Sequence, residues 1–257
     1  MNYAIQNKML GIVIQARTGS NRLPNKMLLP FYSSKGVLEL LLENLIDNSK
    51  NLPIIVATTE SRKDDKIVEI CLKHKINYFR GSENNVLERF IDVGNHFDLK
   101  QIIRVCADNP FLCMTDLNFL VKRFQNSDLD YLSFQTSKGV PVIKTQYGFW
   151  AEAVSLQALK KIQKGTDSLI YLEHVTNYIY ENLKKFNTEF IKIDSFVESY
   201  NNIRMTLDTH EDYLLLKEIY NEYILMKEVS LRSLMELVSA NNIWLEKMRL
   251  QILENKK

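Results

Sequence analysis

Between Gln15 and Lys26 the chain reads Gln15-Ala16-Arg17-Thr18-Gly19-Ser20-Asn21-Arg22-Leu23-Pro24-Asn25-Lys26, three cations and a glycine among small hydroxyl and amide residues. A triphosphate needs this combination, because exposed backbone N–H groups around Gly19 and Ser20 can approach the phosphates while Arg17, Arg22 and Lys26 neutralise them. Taken alone, the stretch is equally compatible with a solvated basic loop. It is not a Walker A loop, since Asn25 replaces the glycine that precedes the lysine there and Met27 replaces the hydroxyl residue that binds Mg²⁺.

Two acids stand directly after short apolar runs: Asp108 after residues 102–106 and Asp208 after residues 204–207. An acid at a strand end can hold a hard cation bound to phosphate. Two such acids are what a Mg²⁺-dependent phosphoryl or nucleotidyl transferase requires. Thr209 and Asp212 have capping-box spacing, which assigns Asp212 to a helix cap and leaves Asp208 spare.

Residues so distant in sequence meet only if the strands bearing them run parallel and exit on one edge, where open sheets bind their ligands. The apolar pattern supports this. Strands are predicted at 11–15, 53–58, 76–79 and 102–106, alternating with helices at 37–46, 64–74, 84–97 and 116–124, which argues for a mostly parallel sheet with helices on both faces. The alternation breaks over 130–153, where strand-like ends flank a polar stretch with Gly139, Pro141 and Gly148, and a β-arm or lid is expected. Helices at 156–164 and 171–183, strands at 190–193 and 204–207, and a helix from Thr209 complete a domain spanning 1–229. Residues 230–257 form a C-terminal helical extension.

The 257 residues carry 33 Lys+Arg against 31 Asp+Glu, so no whole-molecule field suited to nucleic acid or an anionic membrane exists. No apolar run is long enough to span a bilayer, and residues 1–10 lack a signal core, which points to the cytoplasm. Cys71, Cys106 and Cys113 form no CxxC and sit in apolar stretches, as buried reduced thiols would.

In seven ordered blocks the sequence resembles the nucleotidyltransferases of the spore-coat-polysaccharide type, relatives of the N-acylneuraminate and 3-deoxy-manno-octulosonate cytidylyltransferases. The blocks are Ile14-Gln15-Ala16-Arg17 through Arg22-Leu23-Pro24-x-Lys26-x-Leu28-Leu29-Pro30, Val56-Ala57-Thr58-Thr59, Phe79-Arg80-Gly81-Ser82, Val86-Leu87-Glu88-Arg89, Arg104-Val105-Cys106-Ala107-Asp108, the run from Glu173 to Asn182, and Arg204-Met205-Thr206-Leu207-Asp208-Thr209. The resemblance implies a three-layer α/β/α glycosyltransferase-A-like fold, CTP as donor, Mg²⁺, and a homodimer. It implies that Gln15 and Ala16 face the base, that Arg17, Arg22 and Lys26 face the triphosphate, and that Arg80, Gly81, Ser82 and Arg89 lie near base and ribose. Asp108 and Asp208 would hold the metal, and Glu152, Glu173 and His174 would line the sugar. Arg17, Lys26, Asp108 and Asp208 are the expected catalytic set. Asn25, Asn109 and His210 depart from the family pattern.

The expected reaction couples CTP to a sugar acid of nonulosonic or 2-keto-3-deoxy type, giving a CMP-sugar and pyrophosphate. The alternatives are a sugar 1-phosphate acceptor, a glycosyltransferase with Asp128-Leu129-Asp130 as its metal motif, and a non-catalytic nucleotide-binding relative.

Overall fold

In the run Leu10–Gln15, strand β1, Ile12 and Ile14 point to one face and Val13 to the other, and all three are fully buried. A strand buried on both sides needs helices over both faces. The computed structural model supplies them; it describes residues 9–49, 51–200 and 202–255. Residues 1–8, which cover most of the stretch read for a signal core, lie outside the described residues, as do Lys256 and Lys257 of the C-terminal extension.

Strands β2 (Ile54–Thr59), β3 (Asn77–Gly81) and β4 (Gln101–Cys106) join β1 in parallel, and helices α1 (Val37–Asn48), α2 (Asp65–Lys73) and α3 (Val86–His96) connect them. After α4 (Met114–Gln125) come β5 (Tyr131–Gln135), β6 (Glu152–Ser155), α5 (Leu156–Gly165), α6 (Leu169–Glu173), α7 (Asn177–Glu181), β7 (Thr188–Lys192) and α8 (Ser195–Glu198). Among the described residues seven strands lie in the order β3-β2-β1-β4-β6-β5-β7, and of these only β6 is antiparallel to its neighbours. One core cluster packs α1, α2 and α4 against Ile12, Ile14, Val56 and Val105; a second packs α3, α5 and α7 against Val13, Ile55 and Ile102. This is the expected three-layer, mostly parallel architecture.

Four details correct the sequence reading. Residues 130–153 divide: their ends are β5 and β6 inside the sheet, and only the connection between them is irregular, with a 3₁₀ turn at Val142–Lys144. The helix expected at 171–183 is broken between α6 and α7, because Val175 and Thr176 turn inward and are buried. Residues 204–207 form no sheet strand; they run extended, with Met205 N–H on the Gln146 carbonyl and Leu207 N–H on the Asp108 carbonyl. The C-terminal helices α10 (Leu231–Ser239) and α11 (Asn242–Glu254) do not stand apart, since Leu234, Met235, Trp244 and Met248 belong to the first core cluster beside α9 (His210–Tyr223). The three cysteines are free thiols, and burial pushes those of Cys71 and Cys113 up to about 12.

The departure at Asn25 has a backbone reason. Its φ is +58°, the left-handed region where glycine is at ease and asparagine is among the best-tolerated alternatives. Gly36 has a different constraint: a Cβ there would stand 2.5 Å from the Met27 carbonyl oxygen, so the chain before α1 can pass Met27 only without a side chain.

Candidate active site

The carboxyl ends of β1 and β4 are neighbours, with Gln15 opposite Cys106 in register, and the loops that follow them carry Lys26 and Asp108. Lys26 Nζ sits 2.7 Å from Asp108 Oδ2, 3.2 Å from Asp208 Oδ1 and 2.7 Å from the Leu207 carbonyl oxygen. The two acids therefore converge as expected, although Asp208 arrives on an extended segment pinned to Asp108 and not on a strand of the sheet. Burial alone would lower the Lys26 pKa, but the Asp108 and Asp208 carboxylates outweigh it and hold the ammonium above its ordinary value.

Asp208 is gripped from two sides. Arg22 Nη2 lies 3.1 Å from Oδ1, while Arg204 Nη2 and Thr206 Oγ1 donate to Oδ2 at 3.2 and 3.3 Å. Arg204 is fully buried and its guanidinium is also bidentate to Asp212, at 2.7 Å for both contacts. Asp212 makes the expected capping box with Thr209. It does more than the sequence reading assigned to it: its Oδ2 also accepts the backbone N–H of Asp208 at 3.0 Å, so the cap and the acid share one anchor. Arg204 and Asp212 had only weak sequence signals, an arginine in an apolar run and a cap.

Three hard oxygen donors around one cation form a set that a divalent metal also uses. On the chemistry of that set, Asp108 and Asp208 fit Mg²⁺.

The loop of cations is organised by a residue that the sequence reading missed. Asp64, buried at the start of α2, accepts from Thr18 N–H and Thr18 Oγ1 with one oxygen and from Thr58 and Thr59 with the other. Burial pushes its pKa up, but the threonine hydroxyls and the Thr18 N–H outweigh this and lower it. Its signal was an acid in the loop after a parallel strand, the rule that had singled out Asp108. Thr18 then holds the loop through its carbonyl, which accepts from Ser20 N–H and Asn25 N–H at 2.8 and 3.1 Å. Gly19 is exposed at the tip.

Arg17 reaches away from the acids, donating to the Glu83 carbonyl at 3.1 Å and to Glu173 Oε1 at 3.0 Å. Arg80 is fully engaged as a brace, with Thr59 O, Ser61 O and Asp65 as partners. Arg89 is 0% exposed; Nη1 donates to the Ser82 carbonyl, while Nε and Nη2 find no partner among the described residues. Burial, reinforced by the Arg17 charge, lowers its pKa to about 10. Gly81 lies against this side chain, where a Cβ would meet Arg89 Cγ at 3.2 Å. Ala16 is buried, its N–H on the Ala57 carbonyl.

Beside the acids opens a chamber of about 660 Å³, lined by Gln15, Arg22, Arg104, Asp108, Lys144, Glu152, His174, Asn177, Tyr180 and Asp208 among others. Its floor is a buried polar cluster that crosses two strands. Arg104 and Glu152 face each other in register on β4 and β6 and pair at 2.5 Å. Glu152 also accepts from the Tyr131 hydroxyl and from Thr176 Oγ1, and Arg104 Nη2 donates to Gln15 Oε1 at 3.1 Å. Glu152 is thus committed to the protein. His174 lines the chamber, and Glu173 is paired with Arg17. A charge within the apolar run of β4 was the available signal for Arg104. The acids Asp128 and Asp130 lie elsewhere, near Lys100 and Gln101 at the opening end of β4, and Asp130 accepts from the Asn187 N–H.

A cationic loop, two convergent acids and an adjoining polar chamber at the carboxyl edge of a mostly parallel sheet define a nucleotidyltransferase. The cytidylyltransferase family model matches residues 11–256, and the chain belongs to that family. It is 37% identical over 212 residues to an uncharacterised protein of Methanocaldococcus jannaschii, covering 82% of this chain and 83% of that one. It is 30% identical over 236 residues to the spore coat polysaccharide biosynthesis protein SpsF of Bacillus subtilis, covering 89% and 93%. A solved cytidylyltransferase of Leptospira borgpetersenii superposes with a TM-score of 0.81 at 30% identity, covering 92% of this chain and 96% of that one.

Proposed function

We propose that this enzyme transfers CMP from CTP to a sugar acid of nonulosonic or 2-keto-3-deoxy type, releasing pyrophosphate, in the supply of activated sugars for a surface polysaccharide or glycan. The observation that carries the reading is the Lys26 ammonium shared by Asp108 and Asp208 where the cationic loop meets the chamber. A triphosphate on the loop presents its α-phosphorus to an acceptor seated in that chamber. Arg22 and Lys26 neutralise the phosphates, and Arg17 joins them on exchanging its Glu173 contact for the nucleotide. Asp108 and Asp208 would hold Mg²⁺, which when bound supplies positive charge to the phosphate oxygens. The acceptor hydroxyl attacks in line with the departing pyrophosphate, and the chain contributes position and charge compensation fixed in advance.

Support for an acidic acceptor comes from the chamber's cations. Lys144 is half exposed with its nearest carboxylate, that of Glu181, 3.8 Å away, and Arg104 Nε is buried without a partner among the described residues. Gln15 and Asn177 offer amide groups suited to sugar hydroxyls. The base and ribose fall to the exits of β1 and β3, around Gln15, Ala16, Gly81, Ser82 and Arg89. The family resemblance also carries a homodimer, which light scattering at micromolar concentration tests and a monomer would reject. The deciding experiment is pyrophosphate release screened over four nucleotides and a panel of sugar acids and sugar phosphates. Release with CTP and a sugar acid is expected; release only with a sugar 1-phosphate would replace the acceptor class, and release only with another nucleotide would replace the donor.

A further inference from the structure

Trp244, Met248, Gln251 and Asn255 recur at helical spacing, so they lie along one side of α11 and its C-cap. The first two are apolar and buried in the core; the last two are polar. Gln251 is 8% exposed, an interior position where an apolar side chain would serve if packing were the only demand. The change in polarity falls where the stripe reaches the site described above.

Gln251 Oε1 accepts the Thr209 hydroxyl at 3.0 Å, and Thr209 Oγ1 in turn accepts Asp212 N–H at 3.1 Å. A hydroxyl has one proton. Committing that proton to Gln251 leaves the Thr209 lone pairs for the cap that immediately follows Asp208. Asn255 acts through Arg22: its Oδ1 lies 3.4 Å from Arg22 Nη1, while Nη2 of the same planar fork holds Asp208 Oδ1. Asn255 keeps that orientation by donating its amide to Gln251 Oε1 and to the Gln251 carbonyl. A third connection runs from the Asn255 carbonyl to Gln146 Nε2 at 3.3 Å, and Gln146 Oε1 accepts from Arg204, which grips Asp208 Oδ2. Two of these routes finish at the Asp208 carboxylate, and the first finishes at the cap whose Asp212 carboxylate holds the Asp208 backbone N–H.

We infer that α11 is a working part of the active site: through Gln251 and Asn255 it sets the position of Asp208, and these two side chains are positioning residues for the cation and the triphosphate. The inference rests on the proposed role of Asp208 as a cation ligand. Outer partners that orient a ligand typically govern about 10- to 100-fold in metal affinity or activity, and a core helix that ends in polar contacts to that ligand's neighbours has the geometry for it.

The test is CTP binding to the full chain by titration calorimetry, without acceptor, at several Mg²⁺ concentrations, together with thermal unfolding. Gln251→Met keeps volume and loses the acceptor; Asn255→Leu keeps the branched shape and removes the acceptor for Arg22; Asn255→Asp retains that acceptor but loses the amide donors to Gln251. We expect the first two to bind CTP in Mg²⁺ about tenfold more weakly than the unsubstituted chain, with melting temperatures little changed, and Asn255→Asp to lose less affinity than Asn255→Leu does. Variants that lose thermal stability yet keep full Mg²⁺-dependent CTP affinity would reduce α11 to a packing element and overturn the inference. Should Gln251→Met fail to fold, the two Asn255 substitutions, in the half-buried cap, decide the matter. CTP affinity indifferent to Mg²⁺ in the unsubstituted chain would overturn the cation assignment of the proposed function, and this inference with it.

Discussion

Asp64 Oδ1 receives both the backbone N–H and the hydroxyl of Thr18, at 2.8 and 2.6 Å, and so ties the cationic loop after β1 to the start of α2. A loop that must present N–H groups to phosphates cannot bond all of them internally, so it depends on an anchor outside itself. Asp64 is that anchor.

Asp64→Asn should cost about 2–3 kcal/mol, because one amide oxygen cannot replace two carboxylate oxygens and the NH₂ faces donors. The pH dependence has a defined sign. A carboxyl whose folded pKa lies below its unfolded value contributes stability above the unfolded pKa and loses it as pH falls through the folded one. Denaturant unfolding from pH 7 downward should therefore show an acid-limb loss in the native chain that is smaller in the variant. Equal limbs would remove Asp64 from this role.

Lys26→Met should lower kcat/KM with CTP by roughly 2–4 kcal/mol of transition-state stabilisation, since a charge donor fixed in advance is lost while Asp108 and Asp208 are left facing each other. Steady-state kinetics measure this. Turnover like the native chain would displace Lys26 from the site.

Asp108→Asn and Asp208→Asn should remain folded and lose activity by orders of magnitude. Asp212→Asn should not be a mere cap variant: it halves the charge facing the buried Arg204 and should cost about 3 kcal/mol. It should also raise the Mg²⁺ concentration for half-maximal rate, because Asp208 N–H loses its carboxylate partner. Activity against Mg²⁺, read beside thermal unfolding, separates these variants; an Asp212→Asn enzyme with native Mg²⁺ dependence would confine that residue to the cap.

Glu152→Gln and Glu173→Gln form a contrast. Glu152 is the buried partner of Arg104, and removing its charge should cost about 3–5 kcal/mol. Glu173 is 52% exposed and its pair with Arg17 should contribute no more than about 1 kcal/mol. Chemical denaturation of both variants checks the difference. Similar losses would show that the chamber floor is less dependent on its charge pair than the register of β4 and β6 indicates.

Much of this protein was determined locally and was readable from the chain alone. Alternating apolar runs and helical spacing specify β1 to β4 and α1 to α4, because strand and helix periods are properties of neighbouring residues. Parallel strands exit on one edge, so Lys26 and Asp108 could be expected to meet; Asp208, 182 positions beyond Lys26, joins them on a segment outside the sheet that is pinned to the Asp108 carbonyl. The turn at Asn25 and the box at Thr209 and Asp212 are likewise local.

What the sequence left open are relations with no period. Whether residues 204–207 join the sheet depends on what lies beside them, and the Gln146 and Asp108 carbonyls take their N–H groups instead. A break at Val175 and Thr176 cannot be read from helix propensity, because the buried Glu152 draws Thr176 inward from another element. That Glu152 is committed to Arg104, that Asp64 anchors Thr18, and that the end of α11 reaches Asp208 were decided only in three dimensions. A buried charge must find its partner wherever the fold has placed one, and the identity of that partner is carried by tertiary packing, not by spacing along the chain.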